Sequence, residues 1–103
     1  MVILQINYRR PDIPAAEWDA RYTDEIAGPF IEMPGLKWKI WIDEPEAQLS
    51  GGIYLFETRA DAEAYLAGPI VTRMKENPAL SEKSFQIFEI RDRVSELTRA
   101  PLD

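Results

Sequence analysis

The segments LKWKIWID (36–43) and GGIYLF (51–56), joined by EPEAQLS (44–50), decide how this chain folds. In the first segment apolar residues recur at every second position, which is the period of a β-strand. The second segment is a short, largely apolar run that begins at a glycine pair. The connecting segment is polar and contains a proline, as turns do. We therefore predict an antiparallel hairpin with strands at 36–43 and 51–56.

A strand and a helical segment are predicted before this hairpin. Val2–Tyr8 is rich in β-branched residues and alternates between apolar and polar positions. Apolar residues from Ala15 to Ala27 follow helical spacing. We expect Gly28-Pro29 to interrupt this helix, because Pro29 cannot donate a backbone hydrogen bond.

Helices and a last strand are predicted after the hairpin. Thr58 with Asp61 three positions later is a helix-start signal. Gly68-Pro69 should end that helix, and Pro69 should open a short one. Ser84–Arg91 alternates as a fourth strand. We assign residues 1–103 to a single domain, with about 93–103 as a C-terminal arm.

The predicted order, β-α-β-β-α-β, is that of an α+β, ferredoxin-like domain with an antiparallel sheet. Its helices can cover only one face of the sheet, although strand residues on both faces are apolar. An uncovered apolar face of this size usually binds a partner. We expect two copies to pair through their sheets as a homodimer, which would form a dimeric α/β barrel. Trp41 is assigned to this dimer interface.

Composition excludes several classes of function. The chain has 12 Lys and Arg against 18 Asp and Glu, and its net charge of −6 argues against binding to nucleic acid or an anionic membrane. It contains no Cys and no His, so thiolate nucleophiles, imidazole bases and Cys/His metal or haem ligands are excluded. We predict no metal site.

Aromatic residues are the candidates for a small-molecule pocket, since their rings supply apolar walls with a hydrogen-bonding group. Counting alternation from Leu36 puts Trp38 on the helix-covered face of the sheet, and we predict that it forms the pocket floor. The other candidates are Tyr22, Tyr65, Tyr54 and Trp18. Ordinary core or interface packing is the alternative for each.

Gln5 and Asn7 alternate along the first strand and are candidate polar contacts to a substrate oxygen. The alternative is that they form hydrogen bonds within the dimer interface, because buried polar groups are normally paired for structural reasons.

The run PGLKWKIW (34–41) followed by GGIYLF (51–56) resembles the YdhR-like family of mono-oxygenases, which is similar to the antibiotic-biosynthesis-monooxygenase-like superfamily of dimeric α/β barrels. The resemblance implies a mono-oxygenase acting on a small aromatic, quinol or polyketide-like substrate, without metal, flavin or haem. A non-catalytic dimeric binding module, or a lyase or isomerase using the same pocket, remains open.

The first residues, Met1 to Asn7, are too few to form the apolar core of a signal peptide before Arg9 and Arg10. No apolar run approaches the roughly 20 residues that span a bilayer. We therefore expect a cytoplasmic protein without membrane contact.

Overall fold

A computed structural model describes all 103 residues, which form four strands and five helices. In chain order these elements are β1 (Val2–Arg9), α1 (Ala15–Asp19), α2 (Asp24–Ile31), β2 (Leu36–Glu44), β3 (Leu49–Phe56), α3 (Arg59–Leu66), α4 (Pro69–Glu76), β4 (Ser81–Glu89) and α5 (Asp92–Leu97). The fold is the predicted α+β, ferredoxin-like arrangement.

The sheet is antiparallel throughout and has the strand order β2-β3-β1-β4. β1 occupies an interior position, with Leu4 opposite Tyr54 of β3 on one side and Ile87 of β4 on the other. Because side chains alternate across a strand, Val2, Leu4 and Ile6 all point to the helix-covered face, where they are buried.

The core lies between this face and the helices. Tyr54 and Phe56 from β3 pack there against Ala62 and Tyr65 of α3 and Val71 of α4. Both predicted helix starts after the hairpin are confirmed. The Thr58 hydroxyl accepts a hydrogen bond from the Asp61 backbone N–H at 3.1 Å at the start of α3, and Pro69 is the first residue of α4.

The first helical segment is divided at a different place from the predicted one. The helix ends at Asp19 and restarts at Asp24, and Pro29 lies inside α2 instead of breaking it. Thr23 takes the extended backbone conformation of a helix N-cap and is followed by two acidic residues, which favour a helix start. A new helix therefore starts at Asp24, although the apolar spacing of 15–27 predicts one continuous helix. Pro29 removes only one backbone hydrogen bond, and α2 continues through it.

The faces of β2 also differ from the prediction. Leu36 pairs with Phe56 and packs against the core as expected, but Trp38 pairs with the adjacent residue, Leu55. Lys37 is therefore the extra residue of a β-bulge, and a one-residue shift moves all later side chains to the opposite face. Trp41 consequently lies on the helix-covered face and Trp38 on the other, the reverse of the sequence assignment.

The predicted C-terminal arm contains α5 and then lies against the outer face of the sheet. There the Trp38 indole N–H donates to the carbonyl oxygen of Pro101 at 2.8 Å, and Leu102 is only 8% exposed. None of the five helices combines the length and apolar character that crossing a bilayer requires.

Candidate functional site

A cavity of about 340 Å³ lies between the helix-covered face of the sheet and the helices α1, α2, α3 and α4. This size is within the range of small-molecule sites. Its lining consists of Ile6, Tyr8, Trp18, Arg21, Ile26, Phe30, Lys39, Trp41, Gly51, Gly52, Tyr54, Tyr65, Ile70, Arg73, Met74, Asn77 and Leu80.

The wall formed by α1, α2, the segment between these helices and β2 is a series of edge-to-face aromatic contacts. Trp41 contacts Phe30 with ring centroids 5.4 Å apart and Tyr22 at 6.1 Å, and Tyr22 contacts Trp18 at 6.1 Å. Such pairs hold each ring in one orientation. The wall therefore offers a fixed apolar surface on which a flat ring can stack.

Lys39 is the unusual residue of the cavity. Its ammonium nitrogen lies 3.2 Å from the ring centroid of Trp41, 3.8 Å from that of Phe30 and 4.7 Å from that of Tyr54. The ion pairs of the molecule do not include Lys39. Burial without a carboxylate partner lowers its pKa to about 7. Contact with the ring faces favours the charged form and acts against this shift.

Gly52 provides the space that the Lys39 side chain occupies. A Cβ atom at position 52 would lie 2.9 Å from Lys39 Cε and 3.1 Å from the ring of Tyr54. Because Gly52 is directly opposite Trp41 in the β2–β3 pair, the absent side chain also leaves room for the indole. The glycine pair of β3 is thus part of the construction of the site.

Two buried phenols lie beside this lysine. The hydroxyl groups of Tyr54 and Tyr65 are 3.2 Å apart and hydrogen-bonded. Desolvation raises the pKa of Tyr54, of Tyr65 and of Tyr8, so that all three phenols stay protonated at neutral pH. They are neutral hydrogen-bonding groups, and they are not phenolate ligands or bases.

Polar contacts hold the Trp18 side chain in one position. Its indole N–H donates to the Ser50 hydroxyl at 3.2 Å, and that hydroxyl donates to the Asp43 carboxylate. The ring is only 2% exposed, and the Arg21 guanidinium lies 4.5 Å from its centroid. These contacts hold Trp18 in place as a wall and set the position of Arg21 at the cavity.

The charged residues of the lining are all cationic. They are Lys39, Arg21 and Arg73, and no Asp or Glu lines the cavity. This distribution contrasts with the whole chain, whose net charge is −6. No group of three or more acidic, His or Cys residues is placed to hold a metal ion.

The structure brings together most of the predicted pocket residues. Tyr54, Tyr65 and Trp18 line the cavity, and Tyr22 contacts its Trp41 wall from a position that is 37% exposed. Trp41 lies in the cavity instead of on the outer face where the sequence assignment put it.

The other predicted residues lie elsewhere. Trp38, Gln5 and Asn7 all belong to the outer face and do not line the cavity. Gln5 donates to Asn7 at 3.4 Å there, so the two candidate polar contacts meet each other.

Sequence reasoning missed Lys39. Alternation groups it correctly with Trp41, but the bulge at Lys37 reverses the face that the group occupies. The feature of the sequence that could have indicated the site is the Gly51-Gly52 pair, since glycines in a strand interior mark places where bulky neighbours approach closely. That signal indicates large side chains opposite β3 without identifying the lysine.

The chain is thus a small α+β protein whose cavity is lined by aromatic rings and by the basic side chains of Lys39, Arg21 and Arg73. The sequence of the chain matches the family described as putative mono-oxygenase ydhR over residues 3–101. The chain belongs to this family, and the resemblance of the 34–56 hairpin is confirmed. No curated protein sequence matches the chain significantly.

Solved structures share the fold at low sequence identity. A putative antibiotic biosynthesis monooxygenase from Deinococcus radiodurans superposes with a TM-score of 0.68 at 15% identity, covering 87% of this chain and 92% of that one. The haem degrader MhuD from Mycobacterium tuberculosis, with two haems bound in its active site, gives 0.62 at 17%, covering 86% and 95%. A variant of SnoaB, a cofactor-independent oxygenase from Streptomyces nogalater, gives 0.61 at 18%, covering 87% and 93%.

Proposed function

We propose that this protein is a mono-oxygenase that uses dioxygen directly on a small aromatic substrate of quinol or polyketide type. The observation that carries the proposal is the aromatic cavity with Lys39 at its wall. Membership of a mono-oxygenase family and a fold shared with a cofactor-independent oxygenase support it.

The chemistry follows from the groups that the cavity offers. An electron-rich substrate loses a proton and donates electrons to dioxygen, and one oxygen atom enters the product while the other leaves as water. For a methylene carbon the balance is CH2 + O2 → C=O + H2O, with all four electrons supplied by the substrate. The protein contributes orientation, a dry environment and a proton acceptor.

Haem chemistry, which a structural neighbour performs, does not fit the donor groups of this cavity. The chain has no His or Cys, the usual axial ligands. Burial raises the pKa of the lining tyrosines, which keeps them protonated and excludes tyrosinate as a ligand. Met74 also lines the cavity, but a methionine thioether is a weak ligand that binds haem iron together with a histidine, which this chain does not contain.

The outer face of the sheet supports the proposed homodimer. Ile40 is 50% exposed and Phe88 48% exposed there, and the face carries no Lys, Arg, Asp or Glu among its central paired residues. A second copy of this chain presents the same apolar surface, so both would be covered by symmetric pairing. Ile40→Asp should therefore give a monomer in sedimentation equilibrium, whereas Ile31→Asp, an equally apolar but helical exposed site, should leave the dimer intact.

Oxygen uptake distinguishes the mono-oxygenase from its alternatives. The purified protein is incubated with a panel of quinols and hydroxylated polycyclic aromatics, in air and under argon, and product mass is recorded. A mono-oxygenase gives a product only in air, with stoichiometric oxygen uptake. A lyase or isomerase gives the same product in both atmospheres, and a binding module gives none; either result would refute the proposal.

A matched pair of variants connects the reaction to the cavity. Trp41→Phe changes the wall beside Lys39, whereas Trp38→Phe changes the outer face of the same strand. We expect turnover to fall only in the first variant. Equal loss in both would place the reaction outside the cavity.

A further inference from the structure

Charge in the cavity is opposite in sign to that of the protein. Lys39, Arg21 and Arg73 converge on the cavity from β2, from the segment before α2 and from α4, and no carboxylate lines it. A low-dielectric concave site concentrates the field of its charges and attracts ligands of opposite charge. The lining thus favours an anionic ligand that also has aromatic rings.

Lys39 differs from the two arginines in being able to accept a proton. Arginine remains protonated at all accessible pH values, whereas a desolvated lysine can be neutral near pH 7. An unpaired lysine among aromatic rings costs folding free energy, and such costs concentrate at functional sites. Its nitrogen lies against the ring faces at a wall of the cavity, where it can meet a ligand.

We propose that Lys39 accepts the proton of an acidic hydroxyl group on the aromatic substrate and then holds the resulting oxyanion as its ammonium partner. The substrate class is therefore that of hydroxylated aromatics which bind as phenolates. This inference deepens the proposed function, on which it rests for the identity of the site.

The proton transfer is balanced within the cavity. The substrate O–H bond breaks, a new N–H bond forms at Lys39 Nζ, and no electrons are transferred. Arg21 and Arg73 add positive potential for the phenolate. The titratable or charged groups around Lys39 are Tyr8, Tyr54, Tyr65, Arg21, Arg73 and, four residues further along β2, Asp43. The tyrosines stay neutral, and the Asp43 carboxylate accepts a hydrogen bond from the Ser50 hydroxyl.

This pairing predicts a characteristic pH dependence. The complex contains one proton shared by ligand and lysine, so affinity is highest where phenolate and ammonium coexist. The pKa of Lys39 is about 7, so the affinity for a phenol that also ionises near pH 7 should fall up to tenfold for each further pH unit above that value. Lys39→Arg keeps the charge but cannot lose the proton, so its affinity should rise to a plateau instead.

The experiment uses 4-nitrophenol, whose anion is yellow and whose neutral form is colourless, and 4-nitroanisole, its methyl ether without an acidic proton. Titrations are run under argon from pH 5 to 9 on the full chain, followed by absorbance and equilibrium dialysis. In wild type the bound probe should be yellow even below the pH at which the free probe ionises. Lys39→Met should bind 4-nitrophenol at least tenfold more weakly and lose the colour shift, while binding 4-nitroanisole as wild type does.

Two results would overturn the inference. One is a bound probe that stays colourless below its solution pKa. The other is a wild-type affinity that reaches a plateau at high pH like that of Lys39→Arg. Both results are measured under argon, so they test the role of Lys39 and not the reaction with oxygen. Either of them would leave the proposed mono-oxygenase activity open to its own test. Conversely, if the protein shows no oxygen-dependent turnover, a yellow bound probe would still support the role of Lys39 as proton acceptor.

Discussion

The two faces of the sheet differ in the kinds of side chain that they carry. The helix-covered face carries Lys39, Trp41 and Tyr54 around a cavity, whereas the outer face carries Ile40, Ile53 and a Gln5–Asn7 pair. Charged groups and large rings are concentrated on the first face, and neutral residues that suit a flat contact on the second. The comparison supports our proposals that the ligand binds on the helix-covered face and that a second copy binds on the outer face.

A single bulged residue decides which side chains of β2 belong to which face. Without the extra residue at Lys37, Trp38 and Ile40 would point toward the helices, and Lys39 would point outward. The bulge therefore places an amine, and not an aliphatic side chain, inside the cavity.

The glycine pair should give the largest difference between the faces. A Cβ atom at Gly51 would strike the backbone carbonyl oxygen of Ile6, which cannot move without disturbing the sheet, whereas one at Gly52 meets the flexible end of Lys39. We expect Gly51→Ala to lower the free energy of unfolding by about 3 kcal/mol and Gly52→Ala by about 1 kcal/mol. Urea denaturation measures both, and the reverse order would contradict this account of the strand.

Truncating the two tryptophans of β2 should separate binding from association. Trp41→Ala removes a cavity wall, and we expect a loss of about 2 kcal/mol in affinity for 4-nitroanisole, or roughly thirtyfold. Trp38→Ala frees the tail that its indole holds at Pro101 and should weaken the dimer instead. Calorimetry and sedimentation are run on both variants, with unfolding curves as controls. Weaker ligand binding in Trp38→Ala alone would restore the original face assignment.

Removing the buried amine should stabilise the fold in a pH-dependent way. The pKa of Lys39 is about 7 in the folded protein against 10.5 as the ordinary value. The unfolded chain therefore binds more protons between these values, and wild-type stability should rise with pH from about 7 to 9. Lys39→Met should gain about 2 kcal/mol at pH 6 and lose this rise. The control is Lys37→Met, which changes the neighbouring exposed lysine. If the unfolding free energy of Lys39→Met changes with pH in parallel with that of wild type, burial of Lys39 does not lower the stability of the fold.

The smallest effect concerns the phenol pair. Tyr54→Phe removes one partner of the 3.2 Å hydrogen bond to Tyr65, and we expect a loss of about 1 kcal/mol in unfolding free energy. Tyr22→Phe, at the exposed edge, should cost less. Thermal unfolding of the two variants tests the order, and equal losses would show that the pair has no net stabilising effect.

Local patterns were sufficient for the fold but not for the site. Alternation predicted the strands, and Thr58 and Pro69 predicted helix starts, because these signals depend on neighbouring residues only. The inward direction of Trp41 depends on a bulge fixed by pairing with a strand further along the chain, which alternation within β2 does not reveal. Similarly, the tail after α5 packs on Trp38 from 63 positions away.

The three tryptophans allow the most direct test of where the ligand binds, since Trp18 and Trp41 line the cavity and Trp38 lies on the outer face. The measurement is a two-dimensional nitrogen–proton NMR titration of the three indole N–H signals with 4-nitrophenol, assigned by single Trp→Phe variants. We expect the signals of Trp41 and Trp18 to shift with the same saturation curve while that of Trp38 stays in place. A shift confined to Trp38, or saturable binding that moves none of the three, would contradict the assignment of the site to the helix-covered face.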